Sequence, residues 1–117
     1  MNSREKKISL LKTIIESTSN INLYVNAIAN KLYEGDDKIA FEGLAFISEE
    51  LTWIFKGLEL TNDIVNMESL NNTIIEHFNI IVESLENEDY ILIADILNYE
   101  ISPLLNDLIN LIKESIK

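Results

Sequence analysis

The chain has 117 residues, enough for one domain with a single core and too few for two. It contains no Cys, which excludes disulfides, thiolate metal sites and cysteine nucleophiles together. Nine Lys and Arg stand against 20 Asp and Glu, and the formal net charge of −11 argues against nucleic acids and anionic membranes as partners.

Neither a membrane anchor nor an export signal is predicted. No apolar run approaches the about 20 residues that a membrane-spanning helix needs. The N-terminal residues MNSREKKISLLK lack the long apolar stretch and the cleavage site of a signal peptide. We therefore expect a cytoplasmic protein that has no membrane partner.

Apolar residues recur at alternating steps of three and four through nearly the whole chain, which is the period of an amphipathic helix. Segments rich in Ile, such as YILIADIL, have the composition of a strand, but the helical period continues through Leu111 and predicts helix. Four helices are predicted, with apolar seams over residues 11–32, 40–58, 67–85 and 94–111.

The boundaries between these helices predict tight turns. Gly35 can adopt the left-handed conformation that closes a helix, and Asp36 or Asp37 can cap the next one. Residues 87–89 can do the same between the third and fourth helices, with acidic groups at a positive helix end. The boundary between the second and third helices lies somewhere within residues 61–72.

These elements predict an all-α fold, an antiparallel four-helix bundle that forms one domain over residues 1–117. It is built from two helical hairpins, residues 5–60 and 64–116. Pro103 falls inside the fourth helix, where it removes one backbone hydrogen bond. We expect a kink at Pro103, or a helix restart with Ser102 as its cap.

A shift of 53 residues aligns the two halves of the chain with each other. Ile21 then falls on Ile74 and Asp36 on Asp89. Each half is thus a helix, a tight acidic turn and a second helix. Two hairpins rich in Leu and Ile would also align by chance, so duplication stays open, and the predicted bundle does not depend on it.

Apolar residues also lie off the seam of the second helix, nearly opposite its core-facing positions. The corresponding face of the fourth helix repeats this feature. An exposed row of this kind is typical of an interaction site. The predicted partner-binding residues are Ile39, Phe46, Trp53, Leu60, Leu92, Ile96 and Tyr99.

Acidic residues, among them Glu42, Glu49 and Asp95, lie beside this row. The combination suits an amphipathic partner helix with basic flanks, or a second copy of the same chain. The alternative is that the second and fourth helices are central and covered on both sides, which would make the row part of the core.

The sequence contains little that predicts catalysis, and we expect neither an enzyme nor a metal or cofactor site. The one histidine, His77, has apolar neighbours and lacks the Glu-x-x-His partners of a bundle di-iron site. A small-ligand site inside the bundle would need polar groups there, and Thr18 and His77 are the candidates. We expect the Thr18 hydroxyl to bond the backbone carbonyl one turn back.

Two glycines inside the second helix point to packing instead. Gly43 and Gly57 each cost about 1 kcal/mol relative to Ala in a helix interior. Close approach of another helix at both positions would compensate this cost.

Two segments carry a resemblance to a known group of proteins. ENEDYILIADILNYEISPLLNDL (residues 86–108) resembles an E-D-Y-x-L-x-x-D-x-L-x-Y-E-x-x-P-L signature of small, acidic, uncharacterised helical proteins from Gram-positive bacteria. LYEGDDKIAFEGLAFISEELTWIFKGLEL (residues 32–60) is similar to their second helix. The resemblance implies a helical bundle with no established activity, broadly similar in class to flagellar export chaperones.

The sequence thus leads to an expected function without catalysis. We expect a helical adaptor or chaperone-like protein that buries Phe46, Trp53 and Tyr99 against a partner. The alternative is a self-associating structural homodimer.

Overall fold

The computed structural model describes all 117 residues and confirms an all-α bundle. Three of the four helices are uninterrupted, and the fourth contains a π-helical turn. In chain order the elements are α1 (Ser3–Tyr33), α2 (Asp37–Leu60), α3 (Glu68–Glu86), α4 (Tyr90–Ile96), the π turn (Leu97–Ile101) and α5 (Ser102–Ser115). The last three form one continuous helix, called here the fourth helix.

The helices follow the order α2, α1, fourth helix, α3 around a molecule of 49 × 23 × 18 Å. A four-helix bundle has four pairs of neighbours, and in three of them the backbones approach closely. In the fourth pair no Cα atom of α2 lies within 8 Å of a Cα atom of α3, and the two helices face each other through side chains such as Phe55 and Phe78. This loosely packed edge is called here the open edge.

The two hairpin turns have the same backbone structure. Gly35 has a φ of 80°, and the N–H of Asp36 donates to the carbonyl of Lys31 at 2.9 Å. In the second hairpin Glu88 has a φ of 55°, and the N–H of Asp89 donates to the carbonyl of Ser84 at 2.8 Å. These are matching positions under the 53-residue shift, and both turns satisfy the end of a helix through a left-handed residue.

The helix caps that follow these turns differ in their side chains. Asp89 caps the fourth helix, accepting a hydrogen bond from the N–H of Leu92 at 3.2 Å. Asp36 occupies the corresponding N-cap position of α2, but its carboxylate makes no capping hydrogen bond. The predicted positions of both caps are confirmed.

The glycines of α2 lie where α1 approaches most closely, as predicted. A Cβ atom built on Gly57 would lie 2.6 Å from Cδ1 of Ile14, and one built on Gly43 would overlap the side chain of Ile28. Both glycines are buried. The absence of a side chain at these positions thus lets α1 and α2 pack closely, which compensates the low helix propensity of glycine.

Residues 61–67 connect α2 to α3, and this segment makes contacts with both α2 and α1. The Thr61 hydroxyl donates to the carbonyl of Gly57 at 2.9 Å, and the Val65 side chain is fully buried. The Lys7 ammonium forms an ion pair with Asp63 at 3.0 Å. Its hydrogen bond lowers the pKa of the Asp63 carboxyl and connects this turn to the start of α1.

The fourth helix does not restart at the proline. Pro103 lies in the first turn of α5, directly after the π turn. There the N–H of Ser102 donates to the carbonyl of Leu97, five residues earlier. The prediction of Ser102 as a cap is wrong, because Ser102 is itself helical and the π turn accommodates a residue that lacks an N–H. Such turns are recognised sites of helix bending.

Candidate interaction surfaces

The predicted apolar row on α2 faces away from the core. Phe46 and Trp53 are 45% and 44% exposed, and Ile39 and Leu60 are also exposed. The buried residues of α2 lie on a different side of the helix, which faces α1 and the bundle interior. Phe46 makes an edge-to-face contact with Tyr24 of α1, with ring centroids 5.1 Å apart. We call the four residues Ile39, Phe46, Trp53 and Leu60 the outer row.

The remaining predicted residues do not join this row. Leu92 and Tyr99 are exposed, the latter at 70%, but they lie on the fourth helix. The fourth helix lies diagonally opposite α2 in the bundle, and no Cα atom of one lies within 8 Å of a Cα atom of the other. The single surface expected from the sequence is therefore two separate surfaces.

The expectation that Ile96 faces outward is wrong. Its side chain is only 6% exposed and belongs to the core. The physical reason is that the fourth helix packs against α1 on one side and α3 on the other, so its buried face is wider than one apolar seam.

A second apolar surface, which the sequence did not reveal, lies along the open edge of the bundle. We call it the α2–α3 groove. Leu44, Leu51 and Phe55 form one wall, and Phe78, Val82 and Leu85 form the other. Leu97 and Ile101 of the fourth helix form its floor. The groove continues past Phe55 to Leu58 and Met67.

Helix α3 contributes the most exposed apolar side chains of this region. Val82 is 54% exposed, and Ile75, one heptad earlier on the same flank, is 52% exposed. Only three residues of α3 are buried, Ile74, Ile81 and Ser84. The sequence signal for this surface is the pair Ile75 and Val82, which lies off the predicted seam of the helix.

Charge is divided very unequally along the chain. Residues 57–112 contain eleven acidic residues and no Lys or Arg. The nine other acidic residues balance the nine basic ones, so this segment carries the entire net charge of −11. It includes all of α3 and nearly all of the fourth helix. The surface on that side is therefore acidic, while the α1–α2 side is close to neutral.

A buried polar cluster connects α1 to the start of α5. Asn22 donates from Nδ2 to the carbonyl of Ser102 at 3.2 Å and to Oδ1 of Asn106 at 3.1 Å. Asn26 donates to the Ser102 hydroxyl at 3.4 Å. A single buried Asn fixes register in coiled coils, and Asn22 is placed to do so for this helix pair. The sequence feature that could have indicated this role is the position of Asn22, one helical turn after Thr18 on α1.

The two polar residues considered for an interior ligand site are not brought together. Thr18 is fully buried, and its hydroxyl has no hydrogen-bond partner, so the expected bond to the preceding turn is wrong. His77 on α3 lies 3.6 Å from Glu100 of the fourth helix. Thr18 lies on α1 and His77 on α3, and no Cα atom of one helix lies within 8 Å of a Cα atom of the other. No group of three or more potential metal-ligating side chains is found.

One tyrosine connects the end of α1 to the fourth helix. The Tyr33 hydroxyl donates a hydrogen bond to the Asp95 carboxylate. This bond raises the pKa of the Tyr33 hydroxyl, because loss of the proton would leave two negative groups in contact.

Comparison with known proteins identifies the family of this chain. The model of a domain of unknown function, DUF8042, matches residues 9–111. The chain belongs to this family. The DUF8042 match covers most of both hairpins and all residues of the outer row and the α2–α3 groove. No curated protein and no solved structure matches the chain. None of the helices combines the length and the apolarity that crossing a membrane requires.

Proposed function

We propose that this protein is a cytoplasmic, non-catalytic helical adaptor of the chaperone-like kind, which binds an amphipathic helix of a partner protein through the outer row. One observation carries the proposal: Phe46 and Trp53, two large aromatic side chains one heptad apart on α2, are each nearly half exposed. Aromatic side chains of this size are the residues most enriched at binding hot spots.

The resemblance to small acidic bundles from Gram-positive bacteria, and through them to flagellar export chaperones, gives this proposal its class. Proteins of that class hold helical segments of other proteins before export. The transfer is by analogy of architecture and charge, and it assigns no individual residue.

The test uses a double variant, Trp53→Ala with Phe46→Ala. We expect it to lose the protein that co-purifies with the wild-type chain, with a melting temperature within a few degrees of wild type. Trp53 is the only tryptophan, so its fluorescence also reports binding directly. A blue shift on addition of the purified partner is the expected signal.

The matched control is Ile91→Ala, which removes a similarly exposed apolar side chain from the fourth helix. This variant is expected to co-purify with the same protein as the wild-type chain. A large fall in the melting temperature of the double variant would assign the rings to the core and contradict the proposal.

The second candidate function is self-association through the outer row. The observation that favours it is charge: residues 1–56 contain eight acidic and seven basic residues, so two copies joined here would repel little. Sedimentation velocity over a hundredfold range of concentration decides this. A dimer that Trp53→Glu dissociates supports self-association, and a monomer at every concentration contradicts it.

A further inference from the structure

The α2–α3 groove leads to a second binding activity, distinct from that of the outer row. We propose that the groove binds one amphipathic helix of another protein, with an apolar stripe facing the groove and Lys or Arg residues along the flank over α3. The bound helix lies along the loosely packed edge between α2 and α3. The inference extends the adaptor function to a separate surface and does not require the outer row to bind anything.

The shape of the groove is that of a helix-binding site. Its walls are antiparallel, since the Leu44 end of α2 lies beside the Leu85 end of α3 and Phe55 lies beside Phe78. The stretch from Leu44 to Leu58 of α2 is about 21 Å long at 1.5 Å per residue, or roughly four helical turns. Binding a helix in an apolar groove between two helices is a recurrent mode of recognition.

The lining of the groove selects an apolar anchor. Near Leu51 and Val82 it opens into a cavity of about 180 Å³ lined almost entirely by apolar side chains. A cavity of about 150 Å³ suffices to hold a benzene molecule, so one Leu or Phe side chain of the partner fits here. Glu59 is the only charged residue along the whole groove.

The charge around the groove selects a cationic partner. Glu86 lies one turn beyond Val82 on the same flank of α3, and Glu68 lies one turn before Asn71, which also lines the groove. Both carboxylates are exposed, as is Glu59 across the groove. With no Lys or Arg anywhere on α3, basic side chains of the partner would meet only acidic groups on this flank.

The same charges disfavour a second copy of this chain as the occupant. One wall of the groove, on α3, and its floor lie in the segment that carries the entire net charge of −11. A dimer joined here would bring two such surfaces together, and like charges facing each other across an interface oppose association. The groove and the outer row therefore differ in the partners that their charges allow.

The experiment uses a synthetic 18-residue helical peptide of Leu and Lys, with the Leu residues on one face and the Lys residues on the other. Two control peptides keep its length: a scrambled one, and one with Glu in place of Lys. Binding to the full chain is measured by fluorescence anisotropy of the labelled peptide. We expect the Leu and Lys peptide to bind at least tenfold more tightly than either control; equal binding of all three, or none, overturns the proposal.

Two substitutions locate the bound peptide. Val82→Lys places a charge in the wall of the groove, and Leu60→Lys places the same charge on the outer row. Both side chains are exposed, so both variants are expected to fold, as circular dichroism would verify. We expect Val82→Lys to weaken binding tenfold or more and Leu60→Lys to change it less than twofold. The reverse result would assign the peptide to the outer row and overturn the groove.

A matched pair of double variants tests the charges. Glu68→Gln with Glu86→Gln removes the carboxylates beside the groove, whereas Glu76→Gln with Glu83→Gln removes two from other positions of α3. Both variants have the same net charge. We expect threefold or greater weakening from the first alone. Equal weakening would mean that only the overall charge attracts the peptide, and would overturn the site.

Self-association is checked in the same preparation. The groove proposal expects that the free chain does not dimerise through this surface. A wild-type dimer that Val82→Lys dissociates, in sedimentation velocity, would make a second copy the occupant and overturn the cationic partner. The outer-row proposal fails independently, through the double variant of Trp53 and Phe46.

Discussion

The two hairpins share a turn and differ in how their helices meet. Gly35 and Glu88 hold the same left-handed conformation at matching positions, with the same hydrogen bonds around them. Beyond the turn, Gly43 of the first hairpin lets α1 and α2 approach closely. The matching position in the second hairpin is Ile96, whose larger side chain is buried in the core.

The two hairpins also differ in charge and in how their helices are placed in the bundle. The first hairpin is long, tightly packed and close to neutral, and its central helix α1 contacts both α2 and the fourth helix. The second places α3 at the edge, with few buried residues and no basic ones. Each hairpin supplies twelve of the 25 buried apolar residues, but in the second hairpin ten of the twelve lie on the fourth helix. Helix α3 is therefore a partly apolar, acidic helix at the open edge.

The largest predicted effect concerns Ile96. Ile96→Ala is expected to reduce the free energy of unfolding by about 2–4 kcal/mol, because it removes buried methyl groups and leaves a cavity. Leu92→Ala, at an exposed position on the same helix, is expected to cost less than about 1 kcal/mol. Urea denaturation of both variants measures the difference. Equal small losses would contradict the burial of Ile96 and restore it to the exposed surface.

A smaller effect is expected at the matching position of the first hairpin. Gly43→Ala adds a methyl group that overlaps Ile28, an overpacking cost of about 1–3 kcal/mol, against a gain of about 1 kcal/mol in helix propensity. We expect a net loss of stability, measured by thermal and urea denaturation.

The control for Gly43→Ala is its combination with Ile28→Val, which removes Cδ1, the nearer of the two Ile28 atoms that the new methyl group would meet, and leaves the second, Cγ1, at 2.6 Å. The double variant should recover part of the loss. Additive losses from the two substitutions would mean that the close contact between α1 and α2 is not what limits position 43.

Much of the fold could be predicted from local patterns. The helical period gave the four helices, Gly35 and Asp89 marked turns that form as expected, and Gly43 and Gly57 marked the close approach of α1. These features depend on residues near each other in the chain or on one steric requirement. They need no knowledge of which helices become neighbours.

What could not be predicted depends on that choice of neighbours. Periodicity places Phe78 and Leu85 on an apolar face but does not say how far α2 covers that face. Here the cover is partial, since Phe78 packs against the core and Leu85 is exposed. The misplacement of Ile96 was avoidable in principle, since the 53-residue shift sets it on Gly43, where close contact with a second helix was already expected. The partial exposure of the outer row could be predicted from helix geometry. Its separation from Tyr99 could not, because this depends on where α2 and the fourth helix lie in the bundle.

The smallest predicted effect tests whether the shared turn is equally favourable in both hairpins. Gly35→Ala places a Cβ atom on a left-handed residue and should cost about 1 kcal/mol, although no atom lies near it to clash. Glu88→Gly relieves the same strain and should raise stability by about 0.5–1 kcal/mol. Glu88→Ala is the control, because it removes the carboxylate and keeps the Cβ atom, and it should leave the melting temperature nearly unchanged. If Ala stabilises as much as Gly at position 88, the charge of Glu88 rather than its backbone conformation limits the second turn.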